Sequence, residues 1–256
     1  MSFTVPAAAQ TPYAARLLAE MRDAIGAPAL ASLQGFSIKG REVKNFGTVA
    51  GKRESEWVYA APDRFIHASA SGSLTDTTGF NGDSLIYLRG RKSGRGMPPR
   101  QNPSLPHSLD IIVLANKRAF ASFVLPLLGI TPVYPYSAAY AGEDTVDKRP
   151  VHILTVADGR GTSLRFSIDA VTHLPVMLSW MAKREFVVPD PPDSENMPLV
   201  EHRLYYTDFS VTDGVKWPRR IKEMVGDRLL VDTEFAKVRI NPPIEPHRFV
   251  TVPRDR

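Results

Sequence analysis

The run Glu54-Ser55-Glu56-Trp57-Val58-Tyr59-Ala60-Ala61-Pro62-Asp63-Arg64-Phe65-Ile66-His67-Ala68-Ser69-Ala70 decides the fold, together with Leu74-Thr75-Asp76-Thr77-Thr78-Gly79-Phe80-Asn81-Gly82-Asp83-Ser84-Leu85-Ile86-Tyr87-Leu88. Residues 54–59 alternate, with Trp57 and Tyr59 on one side, as a strand with one buried face requires. Ala60 to Asp63 makes a turn, Arg64 to Ala70 a second strand and Leu74 to Phe80 a third. Asn81-Gly82 between two such runs is the strongest short-range hairpin signal, so Ser84 to Leu88 is the next strand. The N-terminal third is an antiparallel meander.

Upstream, Thr11-Pro12 starts a helix, a hydroxyl cap followed by proline in the first turn. Tyr13, Leu17 and Met21 form one stripe, with Ala14, Leu18 and Ile25 beside it, and Gly26 and Pro28 end it. From Leu33 the period changes to two, and Phe36, Ile38 and Val43 predict a strand. Residues 1–10 read as a tail: Ala7 and Ala9 in Val5–Gln10 fit the small-residue end of an export signal, whose basic and apolar parts are missing from this sequence. That reading predicts a periplasmic address; the alternative is a plain N-terminal tail.

Downstream, Gly90 to Pro106 is a basic loop carrying Arg91, Lys92, Arg95 and Arg100. Leu109 to Leu128 is the most apolar helical stretch, and Asn116-Lys117-Arg118 and Pro126 predict that it is split into two short helices. Thr131 to Ala141, rich in Pro and Tyr, reads as a loop or lid. Strands resume near Arg149: Val151 to Val156, Ser163 to Asp169 and Pro175 to Met181. After a proline-rich connection at Pro189 to Pro198 come Leu199 to Phe209, Val215 to Val225 and Leu229 to Ile240, with turns at Asp213-Gly214 and Gly226-Asp227. No linker divides residues 11–256, which read as one domain.

The composition narrows the function classes. Among 256 residues there is no cysteine, which excludes disulfides, thiolate metal sites and a cysteine nucleophile. A net charge of +5 suits peripheral contact with an anionic membrane or an acidic partner and is too small to argue for nucleic acid. His67, His107, His152, His173, His202 and His247 show no metal-ligand spacing, and Asp190, Asp193 and Glu195 lack the pattern of a calcium loop. Gly90-Arg91-Lys92-Ser93-Gly94-Arg95-Gly96 lacks the Gly-Lys-Ser/Thr ending of a phosphate loop, and there is no G-x-S-x-G elbow. No catalytic residue, metal or cofactor is therefore expected.

The order of these motifs resembles the periplasmic lipoprotein-carrier (LolA-like) family and outer-membrane lipoprotein-sorting proteins. The likeness lies in the capped first helix, Trp57 through Phe65, Phe80 through Tyr87, Phe166-Ser167-Ile168-Asp169 with Leu174-Pro175, Asp213-Gly214-Val215-Lys216-Trp217-Pro218, and the closing Asn241-Pro242-Pro243-Ile244. The resemblance implies a mainly β protein with some α: a strongly curved antiparallel sheet, an unclosed half-barrel, whose concave face is covered by helices with acyl chains held between. One position departs from the family. Ala61 stands where the carrier that names it has an arginine pinning the lid helix.

On this reading Trp57, Tyr59, Phe65, Ile86, Leu88, Phe166, Ile168, Leu178 and Trp180 face inward from the strands, and Phe120, Phe123 and Leu127 face them from the helical stretch. Tyr134, Pro135 and Tyr136 are lid candidates. The expected function is a monomeric, non-catalytic carrier of a lipid or lipidated protein, with an envelope partner, since an acyl chain in water costs about 0.8 kcal/mol per methylene. A structural or interaction domain without a ligand, or an envelope hydrolase, is the alternative. A concave face filled by side chains would favour the former.

Overall fold

A computed structural model describes residues 11–46, 49–91, 108–128, 133–158, 163–183 and 198–251. Helices α1 (Pro12–Ile25) and α2 (Ala27–Ala31) lead into β1 (Gly35–Phe46), β2 (Val49–Ala60), β3 (Arg64–Ser71), β4 (Leu74–Asn81) and β5 (Ser84–Arg91). Helix α3 (Ser108–Leu128) follows, then β6 (Ser137–Val146), β7 (Arg149–Ala157), β8 (Ser163–Asp169), β9 (Pro175–Lys183), β10 (Leu199–Thr212), β11 (Val215–Val225) and β12 (Arg228–Ile240). All twelve strands form one antiparallel sheet, ordered β5-β4-β3-β2-β1-β12-β11-β10-β9-β8-β7-β6. It is curved and does not close into a barrel.

The joint between the two meanders is β1 with β12, in register from Phe36 opposite Ile240 to Lys44 opposite Val231. The ladder is bulged at Gly40, where a Cβ would lie 2.3 Å from the Glu234 carbonyl oxygen, so only glycine fits. β5 and β6 are the two edges of the sheet, and α3, which lies between them in sequence, packs on the inner face. One large apolar cluster fills that face, from Leu17 and Met21 of α1 and Phe120 and Val124 of α3 to Phe36, Trp217 and Phe235 of the sheet. Two smaller clusters lie outside it, Val58, Ile66, Ile86 and Phe249 in one and Val151, Ile153 and Val176 in the other.

The Thr11 hydroxyl caps α1 by accepting from the Ala14 N–H, as expected, and it also accepts from the Tyr140 N–H at 3.4 Å while the Thr11 N–H donates to the Ala138 carbonyl. Gly26, at φ +128°, closes α1 against the β10–β11 turn.

Three expectations are corrected. Helix α3 is continuous rather than split: Asn116, Lys117 and Arg118 point to different sides of it and find polar partners in Thr78, Asp83 and Asp158, and Lys and Arg are good helix formers. Pro126 falls in its last turn, where its missing N–H orphans only the Ser122 carbonyl. Residues 137–141 begin strand β6 rather than a loop. Alanine and glycine hide that strand from propensity, and it forms by pairing with β7 and packing the Tyr140 ring edge-on against Tyr13, centroids 4.5 Å apart. Within β6 a bulge lies between Tyr140 and Gly142, with Gly142 at φ +114°, followed by Glu143 and Asp144. Finally, the β4–β5 loop is Gly82-Asp83, one residue later than expected, because Asn81 pairs with Ser84. The basic loop at 92–107 and the connection at 189–197 lie outside the described residues.

Two substitutions grade the joints of α1. Thr11→Ala is expected to lower unfolding stability by about 1 kcal/mol. Gly26→Ala is expected to cost more, because its Cβ would lie 2.2 Å from the Gly214 carbonyl oxygen. Urea denaturation of both variants against the parent checks the order.

Candidate functional site

The inner face follows from strand alternation and register. Phe36 of β1 sits opposite Tyr59 of β2, Tyr59 opposite Phe65 of β3, Phe65 opposite Phe80 of β4 and Phe80 opposite Leu85 of β5. Cross-strand partners share a face, so these residues form one apolar row across five strands. Phe120 of α3 lies on the row, its ring 4.5 Å from Phe65, 5.0 Å from Tyr59 and 5.7 Å from Phe80. Phe123 stacks towards Trp57 at 6.4 Å and meets Phe235 edge-on. Offset and edge-on rings at these separations are favourable contacts.

Of the residues read from sequence as a cavity lining, Trp57, Tyr59, Phe65, Phe120, Phe123 and Leu127 come together in this seam under α3. Phe166, Ile168, Leu178 and Trp180 also lie on the inner face, towards the other edge. Ile86 and Leu88 do not. Ile86 is buried on the outer face beneath Phe249, and Leu88 is 45 % exposed. The apolar run 85–88 carries no alternation, so its phase depends on the hairpin register; with Asn81 opposite Ser84, Leu85 and Tyr87 take the inner positions. Phe36, Phe80, Trp217 and Phe235 belong to the same apolar cluster, although the sequence does not mark them as site residues. Register carries them there, once β1 is placed against β2 and β12.

Helix α3 is held to the rest by side chains. Thr78 Oγ1 donates to Asn116 Oδ1 at 3.0 Å, and Lys117 Nζ donates to Asp83 at 2.7 Å. Arg118 donates to the Tyr134 hydroxyl and to Asp158, whose side chain is fully buried, and Tyr134 donates to the same carboxylate at 2.6 Å. Burial and the Asp158 carboxylate push the Tyr134 hydroxyl above its ordinary range, so it remains a donor. Tyr136 bonds Ser122 of α3. The lid candidates Tyr134 and Tyr136 therefore clasp the helix.

Along the strands the inner face turns polar. Beyond Phe36 and Ile38, β1 carries Glu42 on the inner face; beyond Tyr59 and Trp57, β2 carries Ser55. The Ser55 hydroxyl donates to Glu42 Oε2 at 2.6 Å, and His67 Nε2 lies 3.5 Å from the same oxygen, its ring stacked on Trp57 at 4.8 Å. The serine thus donates to the carboxylate rather than to the imidazole, so the three do not make an activated nucleophile. Burial alone would push the Glu42 carboxyl up; attraction to His67, then Lys44, and the Ser55 bond outweigh it and hold the group at about 2. Elsewhere on the face, the Tyr206 hydroxyl and Trp217 Nε1 are buried without a hydrogen-bond partner among the described residues. Among the described residues no three His, Asp or Glu are grouped to hold a metal.

No protein-family model matches the chain, and neither does any curated protein sequence. Solved structures do match over nearly its whole length. A domain named for outer membrane lipoprotein sorting, from Vibrio parahaemolyticus, superimposes with a TM-score of 0.56 at 8% identity, covering 92% of this chain and 97% of that one. A DUF1329 family protein from Desulfovibrio piger gives 0.57 at 12% identity, over 94% and 98% of the two chains. A LolA superfamily protein from Nitrosomonas europaea gives 0.52 at 10% identity, over 93% and 97%. The chain has the LolA-like fold. At these identities the likeness is one of architecture: a curved, open sheet with helices over its inner face.

The Glu42 network sets an acid limit on stability. A carboxyl held at about 2 rather than 4.5 contributes about 3 kcal/mol that is fully present above pH 4.5 and is lost as the pH falls through 2. Glu42→Gln should flatten the curve of unfolding free energy against pH across that window, measured by urea titration at successive pH values.

Proposed function

We propose that this chain is a non-catalytic binding or carrier protein for an apolar ligand, a lipid or a lipoprotein acyl chain, acting as a monomer in the periplasm. The observation that carries the reading is the seam between α3 and the sheet. It is a broad aromatic and aliphatic contact, Phe120, Phe123, Val124 and Leu127 against Phe36, Trp57, Tyr59 and Phe65, and polar side-chain clasps at its borders hold the helix down. An acyl chain entering the seam exchanges apolar contacts for similar ones, so lifting α3 to admit it costs little beyond the clasps. The fold is that of a domain named for lipoprotein sorting, which agrees with this use. Trp57, Tyr59, Phe65, Phe120, Phe123, Leu127, Phe166, Ile168, Leu178 and Trp180 line the path, and the Glu42–Ser55–His67 end suits the polar group of an amphiphile. An envelope protein delivers or receives the cargo.

One observation favours a second reading, a structural or interaction domain that holds nothing. The described rings already touch across the seam, Phe65 and Phe120 at 4.5 Å. The carrier reading therefore requires α3 to move, and the domain reading requires it to stay.

Locking the helix separates the two. The chain has no cysteine of its own. In Thr78→Cys/Asn116→Cys, whose native oxygens are 3.0 Å apart, oxidation ties α3 to β4. Solvent extraction and mass spectrometry of protein purified from membranes is expected to release lipid. Uptake of a fluorescent fatty acid by the delipidated double variant is expected to fall at least tenfold when oxidised and to return with reductant. Equal uptake in both redox states, or no lipid and no uptake by the parent, would leave the structural reading standing.

A further inference from the structure

Residues 241–251 leave β12 and cross the outer face of the sheet, on the side away from α1 and α3. Their course is fixed at both ends. Asn241, at φ +50°, accepts from the Gln34 and Gly35 N–H groups through its side-chain oxygen and donates to the Ser32 carbonyl. Phe249 is buried against Val58, Ile66 and Ile86, and its carbonyl accepts from Asn81 Nδ2. Between these anchors Ile244 and Arg248 touch the sheet, and a pocket of about 260 Å³ lies between the strap and the strands.

The floor of this pocket is Lys39 of β1, Glu56 of β2 and Lys237 and Arg239 of β12; Arg248 and the Pro242–Ile244 stretch form the wall. Four cations thus face one carboxylate. Glu56 is taken by the wall: Arg248 Nη2 lies 2.6 Å from it and Lys39 Nζ 3.9 Å. Lys237 and Arg239 have no acidic partner among the described residues. Lys39 and Lys237 are also direct cross-strand partners, with Arg239 the next same-face residue along β12. Like charges placed opposite one another on adjacent strands destabilise a sheet. Here they are gathered in a concave site whose wall is held by hydrogen bonds and a buried phenylalanine. That arrangement gains stability when an anion enters, and the Arg239 guanidinium has the fork that suits a phosphate.

We propose that this pocket binds a phosphoanion, a phosphate monoester or diester of about headgroup size, through Lys39, Lys237 and Arg239. The site lies on the opposite face from the apolar seam and does not depend on what that seam holds. The same chemistry is presented by a soluble phosphate ester and by an anionic phospholipid headgroup, and the test separates them.

In the first arm, full-length protein is titrated with glycerol phosphate and followed by amide NMR; in the second, it is floated with phosphatidylcholine vesicles with and without phosphatidylglycerol. Saturable shifts centred on residues 37–39, 237–239 and 248 show a soluble ligand. Flotation only with phosphatidylglycerol shows a headgroup. Lys237→Glu/Arg239→Glu, at exposed positions, is expected to weaken the observed binding at least tenfold with a thermal melt no lower than the parent's. Lys237→Gln/Arg239→Gln should weaken it less. The charge-matched control Arg16→Glu/Arg165→Glu, on α1 and β8, should leave it within twofold. Binding to neither probe, or equal loss in the control and pocket variants, would overturn the proposal.

Discussion

The pairing of β1 with β12 is the contact on which the remaining architecture depends. It joins two meanders that are each legible as hairpins into one sheet, and it puts their junction in the middle. Strands consecutive in sequence, β5 and β6, are thereby sent to opposite edges. Helix α3, which lies between them in sequence, sits on the inner face and is more apolar than a surface helix needs to be. The roof over the inner face is therefore a consequence of strand order, and the apolar composition of α3 is the adaptation to it.

Much of this was legible in the residues. The capped start of α1, its glycine stop and the strands β8 and β11 came out at their observed bounds, because Thr-Pro, Gly26 and the turns at Asp213-Gly214 and Gly226-Asp227 are local signals with local causes. What failed was non-local. Strand β6 is a strand because β7 and Tyr13 make it one. The phase of β5 is set by Asn81 meeting Ser84, and the Leu85-Ile86-Tyr87-Leu88 run gives no clue to it, so the inward expectation for Ile86 and Leu88 does not hold. The Glu42–Ser55–His67 group draws one residue from each of three strands, at spacings that carry no motif. The outer pocket is likewise built from β1, β2, β12 and the strap.

The two faces of the sheet do different physical work. Inside, aromatic rings from five strands meet one helix in a contact with little directional bonding, bordered by a few clasps such as Arg118–Tyr134–Asp158. Outside, a short strap is pinned at Asn241 and Phe249, and cations gather beside the small apolar cluster that Phe249 covers. The first arrangement rests on contacts between like surfaces; the second leaves Lys237 and Arg239 without an acidic partner among the described residues. A shared sheet carries both because alternation along each strand sends neighbouring side chains to opposite sides.

The threonine that begins α1 has a second consequence. Its amide donates to the Ala138 carbonyl, and its hydroxyl accepts from the Tyr140 amide, both on the free flank of β6. Those are main-chain groups that a strand from a neighbouring molecule would need. Just past them the ladder is kinked at Gly142 and followed by the carboxylates of Glu143 and Asp144. Growth of the sheet into intermolecular ribbons, the standing hazard of a long open β structure, is thus blocked on this side by the first turn of a helix.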